Sequence, residues 1–169
     1  MIQKTITELQ RTNPKKYRRH VVMQSLLAGA FILLVFLASH ALGCGAVAAS
    51  VGASTMIAFA FPRAESSKYR YLLGGYATAI VCGLLAGGGL RLAGETLFFI
   101  PSHPLFCALA VCAAFFLMVF LDFQHPPAAA LAIIVTLSER PLIPAGQAAA
   151  CIVLLCVIKK LLYKRLINL

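Results

Sequence analysis

An all-α, polytopic membrane protein is predicted by three features of this 169-residue chain. It is 61% hydrophobic and 12% charged, with a mean hydropathy of +0.90, and a soluble domain would carry about twice that charged fraction. Its apolar residues gather in runs long enough to be membrane segments. Its basic residues fall almost entirely on one side of those runs. The alternating pattern of a membrane β-barrel is absent from the sequence.

The runs give about six membrane segments, at 21–38, 45–61, 71–90, 104–121, 126–138 and 145–162. The first is longer than a signal-peptide core and lacks a small-residue cleavage site, so it reads as a retained span. Residues 1–20 read as a basic cytoplasmic tail and 21–169 as the membrane domain, with no separate soluble domain. The tail is either solvated or a short interfacial helix with Ile2, Ile6 and Leu9 on one face before Asn13-Pro14. The connections 62–70, 91–101 and 139–144 carry the breakers and most of the remaining charge.

Charge sets the orientation. If all six segments cross, every Lys and Arg except Arg91 and Arg140 lies on one side. The positive-inside rule makes that side cytoplasmic, with both termini on it. Tyr17, Tyr69, Tyr71 and Tyr163 fall at the same ends, where a phenol sits among headgroups, and Phe98, Phe99 and Phe106 fall toward the other. A multi-pass protein of a bacterial inner (plasma) membrane follows, with anionic lipid at its cytoplasmic face. The +10 net charge sits beside the membrane, so lipid accounts for it better than nucleic acid does.

The stretch from Leu105 to Ser138 departs from a simple span. As a helix its 34 residues would reach about 51 Å, against a bilayer core about 30 Å thick. It is interrupted by Asp122, Gln124 and His125-Pro126-Pro127. Two prolines mark a stop followed by a fresh helix start, so 126–138 is either a short crossing or a half-helix. Six crossings divide into three plus three, and an odd half enters the second time from the opposite side. The middle segments, 52–60 and 129–135, both start with small residues and turn bulky. A 3+3 inverted repeat with half-helices meeting at the site is the expectation.

Two candidate binding elements follow. After the prolines, the amides of Ala128, Ala129 and Ala130 lack partners within their own helix. Such a helix start can hold an anion without a charged side chain. His125 adds a group that titrates near neutral pH, and Asp122 can pair with it as a proton relay. A kinked loop at the inner interface, with His125 wet, is the alternative. The second element is Gly52-Ala53-Ser54-Thr55, where glycine permits close approach and two hydroxyls can line a polar path. A tight helix contact with hydroxyls bonding back to their own helix is the alternative there.

The remaining features read as structure. Gly75, Ala79, Gly83 and Gly87 form a small-residue stripe for helix packing. The six cysteines lie in or beside apolar runs with no CxxC pair, and read as small hydrophobes rather than metal ligands. His20, His40 and His103 read as interfacial. Arg91 and Glu95 stand one helical turn apart, enough for a local ion pair. No nucleophile–base set, phosphate loop, metal set or cofactor motif appears in the sequence.

At these same residues the sequence resembles the HPP family of small integral membrane proteins. His125-Pro126-Pro127 with the small residues after it is similar to the signature. Gly52-Ala53-Ser54, then Phe59-Ala60 and Pro62, resemble an upstream block, and Arg70 with Gly74-Gly75 the block opening the next span. The order and spacing hold over residues 20 to 160, so 21–169 reads as an HPP-type transmembrane domain. The resemblance implies a compact helical domain. Plant and cyanobacterial members are linked to nitrite transport, which implies a small monovalent anion. The sequence departs from the pattern at Ala129 and Leu131, where glycine and a hydroxyl are usual. It departs again at Tyr69, in place of proline, and at Tyr76, in place of histidine.

The expected function is a transporter or channel for a small inorganic anion, nitrite first, working without a cofactor as a homo-oligomer. The expected site comprises His125, Pro126, Pro127, Ala128, Ala129 and Ala130 with Gly52, Ala53, Ser54 and Thr55, and Asp122 beside them. The rival readings are a non-transporting assembly subunit and a membrane enzyme using His125 with Asp122.

Overall fold

The computed structural model describes residues 14–93, 96–97 and 100–169. The interfacial face of Ile2, Ile6 and Leu9, the Asn13 stop, Glu95 with its pairing to Arg91, and Phe98 and Phe99 lie outside the described residues. Six helices follow in order: α1 Pro14–Ala41, α2 Ala46–Ala60, α3 Tyr69–Ala93, α4 Ser102–Phe120, α5 Pro126–Leu137 and α6 Leu142–Leu162. A 3-10 turn at Glu65–Ser67 joins α2 to α3. A small antiparallel pair, β1 Thr96–Leu97 and β2 Ile100–Pro101, joins α3 to α4, where the sequence shows only a breaker-rich connection.

Every expected segment is a helix, most of them longer than the apolar run itself. α1 begins at Pro14, so Lys15 to His20 lie on this helix. α1, α3, α4 and α6 are each long and apolar enough to cross a bilayer. α2 has 15 residues and α5 has 12, which at about 1.5 Å per residue is roughly 22 and 18 Å. Neither fills a core about 30 Å thick by itself. The chain is a multi-pass integral membrane protein. Large apolar side chains stay exposed along α1, α4 and α6, among them Leu33, Phe36, Phe115, Phe116 and Leu154, as lipid contact requires.

Local chemistry sets the boundaries. α1 closes at Gly43, whose φ of 67° is left-handed. Cys44 N–H then reaches Ser39 O at 2.8 Å and Gly43 N–H reaches His40 O at 3.2 Å, a Schellman end. α4 ends the same way with Asp122 (φ 57°) in the place of glycine. Phe123 N–H bonds Met118 O at 2.7 Å and Asp122 N–H bonds Val119 O at 3.3 Å. α5 starts at Pro126 from an extended His125, as the doubled proline dictates.

α5 is the centre of the bundle, packed by α2, α3, α4 and α6. Leu131, Ala132 and Val135 on it are fully buried. The stripe on α3 admits it: a Cβ on Gly83 would stand 2.7 Å from Ala132 O and 2.8 Å from Val135 Cβ. On Gly75 it would stand 2.6 Å from His125 Cβ, and on Gly87 3.0 Å from Thr136 O. The stripe is therefore a seat for a helix of the same chain. All six cysteines are free; Cys82, Cys151 and Cys156 are buried, and Cys112 is exposed.

One end of the bundle gathers the start of α1, the 61–68 connection, the 121–125 turn and the residues after α6. Gln24 donates to Phe59 O and, at 2.8 Å, to Ile167 O. Leu169 N–H bonds Ala60 O at 2.8 Å, and Lys159 donates to Ser67. The basic residues of α1, α6 and the connection share this end.

Candidate functional site

The polar core of the bundle lies where the two short helices meet. Ser50 and Ser54 stand one turn apart on α2 and Tyr76 projects from α3. His125 caps α5. All four are at most 2% exposed. His125 Nε2 is 2.8 Å from Ser54 Oγ. Tyr76 Oη is 2.9 Å from Ser54 Oγ and 3.0 Å from Ser50 Oγ. Ser50 donates to Pro127 O at 2.8 Å. His125 Nδ1 is 3.1 Å from Ser66 O in the 61–68 connection.

These partners fix the proton arrangement. Ser66 O only accepts, so Nδ1 carries a proton; Pro127 O only accepts, so the Ser50 proton points there. With a neutral imidazole, Ser54 donates to Nε2, and Tyr76 has one proton for two serine oxygens. Five close pairs then share four protons. The longer contact of Ser54 to Ser50 O, 3.3 Å, is a second seat for the Ser54 proton. One added proton on Nε2 completes a one-way chain: His125 to Ser54, Ser54 to Tyr76, Tyr76 to Ser50, Ser50 to Pro127 O. A buried imidazolium is costly without a counter-charge, and no carboxylate hydrogen-bonds this cluster among the described residues.

The turn that delivers His125 is held by the start of α3. Arg70 donates to Leu121 O at 3.3 Å, lies 3.6 Å from the Asp122 carboxylate, and stacks 5.4 Å from the centre of the Phe123 ring. Tyr71 donates to Asp122 at 3.3 Å. Gly74 leaves room for the Phe123 ring, and Gly75 for His125. The sequence block Arg70, Gly74, Gly75 is thus the clamp on the turn.

Several expected site residues take other places. Asp122 is exposed and bonded to Arg70 and Tyr71, whereas His125 is bonded to Ser54 and Ser66; no hydrogen bond joins Asp122 to His125. The sequence spacing of three residues suggests a pair, but the left-handed turn between them directs the two side chains apart. The Ala128 amide is not bare: it donates to His125 O at 2.9 Å, because the helix opens on a tight turn. Ala128 is buried, Ala130 is exposed, and Ala129 and Pro126 line an apolar cavity of about 810 Å³ between α4 and α5 that also reaches His125. Gly52 and Thr55 line a second cavity of about 430 Å³ between α1 and α2, and Ala53 is exposed. Thr55 bonds back to Val51 O at 2.7 Å. Of the ten expected binding residues, Ser54, His125 and the Pro127 carbonyl converge.

Ser50, Tyr76 and Ser66 join the site without having been singled out for it. Ser50 was legible as one helical turn from Ser54. Tyr76 stood out only as a departure from the family pattern, yet its ring centre lies 5.9 Å from that of His125. Ser66 contributes a backbone carbonyl, which no side-chain motif reveals.

The family model described as HPP, transmembrane region, matches residues 13–168. Neither the curated proteins nor the solved structures gave a match.

Proposed function

We propose, since the chain belongs to the HPP transmembrane family, that it carries a small inorganic anion across the membrane, nitrite first, together with a proton. The observation that carries this reading is the uncharged cluster of Ser50, Ser54, Tyr76 and His125 buried where α2 meets α5. Interrupted or short helices meeting at the midplane are a common transporter plan, and hydroxyl and imidazole donors can replace part of an anion's hydration. The proton that completes the hydrogen-bonded chain also balances the anion's charge. Nitrite leads because the resemblance to nitrite-linked members implies it. With the basic end in the cytoplasm of a bacterium, the inner loops raise local anion concentration.

The two halves support a 3+3 inverted repeat. Each has a short middle helix, and the Schellman ends of α1 and α4 fall at opposite ends of the bundle. The working unit is a homo-oligomer, built on faces other than the α3 stripe. An enzyme reading loses the Asp122–His125 pair on which it rested. Proteoliposome flux is the test. Nitrite uptake driven by an inward proton gradient, lost in Ser54→Ala and His125→Ala and slowed in Tyr76→Phe, is the expected result. No flux of nitrite, nitrate or chloride under any gradient overturns the proposal.

A further inference from the structure

Among the described residues, Lys159 is the one with a charged side chain that the fold buries, at 2% exposure. Its ammonium donates to Ser67 O and, at 2.6 Å, to Ser67 Oγ, and lies 5.4 Å from the centre of the Tyr69 ring. These are neutral partners; among the described residues no carboxylate lies within ion-pair distance of it. Buried charges are ordinarily paired.

Lys159 lines a cavity of about 350 Å³ at the basic end, with Arg63, Lys68, Lys160, Tyr69 and Tyr163 around it. That volume lies within the range of roughly 300–1,000 Å³ usual for ligand pockets. Lys68 is bonded to Glu65 at 2.6 Å. The Arg63 and Lys160 side chains have no hydrogen bond or ion pair among the described residues. Three cations thus face one small cavity with no anion to match. Val157 and Leu161, one turn apart on α6 beside Lys160, are 48% and 77% exposed. They belong to the exposed apolar surface of α6 and do not line the cavity.

We infer that this cavity binds the phosphodiester headgroup of an anionic phospholipid, with Lys159, Arg63 and Lys160 on the phosphate. A basic pocket between helices at the cytoplasmic side suits such a headgroup, and tyrosines on its rim suit the interface. A free phosphate shares the headgroup chemistry, and the titration below separates the two. The inference does not depend on transport.

The test is thermal unfolding of the full chain in neutral detergent, titrated with phosphatidylglycerol, phosphatidylcholine or inorganic phosphate. Phosphatidylglycerol is expected to raise the melting temperature in a saturable way. In the surface variant Arg63→Ala/Lys160→Ala its apparent affinity is expected to fall by roughly an order of magnitude. Arg18→Ala/Arg19→Ala removes the same charge from the same end, outside the cavity, and is expected to keep most of it. An equal response to phosphatidylcholine, an equal loss in both double variants, or a response to inorganic phosphate without one to phosphatidylglycerol overturns the lipid site. Lys159→Met, if it folds, is expected to lose the phosphatidylglycerol response altogether.

Discussion

At the scale of single residues, the site is a matter of protons and of space. Ser54 touches both His125 and Tyr76. Ser54→Ala leaves two buried polar groups a partner short, which costs about 1–3 kcal/mol for each unsatisfied group. The expected result is a clearly lowered melting temperature in detergent, and an unchanged one would remove Ser54 from the network. Glycines make the second case. Gly83→Ala drives a methyl into Ala132 O and Val135, an overpacking worth about 1–3 kcal/mol of destabilisation. Gly88→Ala on the same helix meets nothing within 4 Å and is expected to be neutral or to stabilise by up to about 1 kcal/mol. The same thermal measurement on both variants separates packing from helix propensity.

At the scale of elements, the 121–125 turn decides what α5 can do. Asp122 holds a left-handed φ of 57° in the place usually given to glycine. Asp122→Asn keeps a residue that tolerates this conformation and loses an exposed ion pair, a change of no more than about 1 kcal/mol. Asp122→Val puts a β-branched residue into the left-handed region, at roughly 1–3 kcal/mol. Comparable losses in the two variants would show that charge, not backbone conformation, sets the turn. The turn also decides access. Gln124 is exposed and His125 is wholly buried. In a cysteine-free background, Cys at 124 is expected to react with a soluble thiol reagent far faster than Cys at 125. Equal rates would mean that His125 faces open water, and the buried relay would have no basis. Gly75→Ala would press on His125 Cβ, so the packing helix and the site are one construction.

At the scale of the whole molecule, α5 packs against four helices, with Ala130, Ile133 and Leu137 left exposed on one side, while α1, α4 and α6 carry large exposed apolar side chains. A short helix in a bilayer leaves its ends at membrane depth, where irregular backbone is tolerated only against protein or water. Here the 61–68 connection closes over one end, and Ser66 O accepts the hydrogen bond from His125 Nδ1. The charge distribution makes the orientation testable. Cysteines placed at Arg63 and Lys164 are expected to label from the cytoplasm in intact cells, and one at Arg140 from outside. The reverse pattern overturns the cytoplasmic assignment.

The sequence alone determined the class of the molecule, the order of the helices among the described residues, and the break at Pro126. Each of these follows from local quantities: apolar run length, the missing proline N–H, and the placement of lysine and arginine. It also pointed to Ser54 and His125, because a hydroxyl and an imidazole are conspicuous in apolar runs. Only the tertiary structure decided who meets whom. It turned Asp122 to Arg70, gave the Ala128 amide to His125 O, brought Tyr76 between two serines, and buried Lys159 against Ser67. Apart from the local Ala128 turn, those pairings join residues tens of positions apart in separate elements. No local periodicity encodes the distant ones, because the packing of separate elements against one another sets each distance.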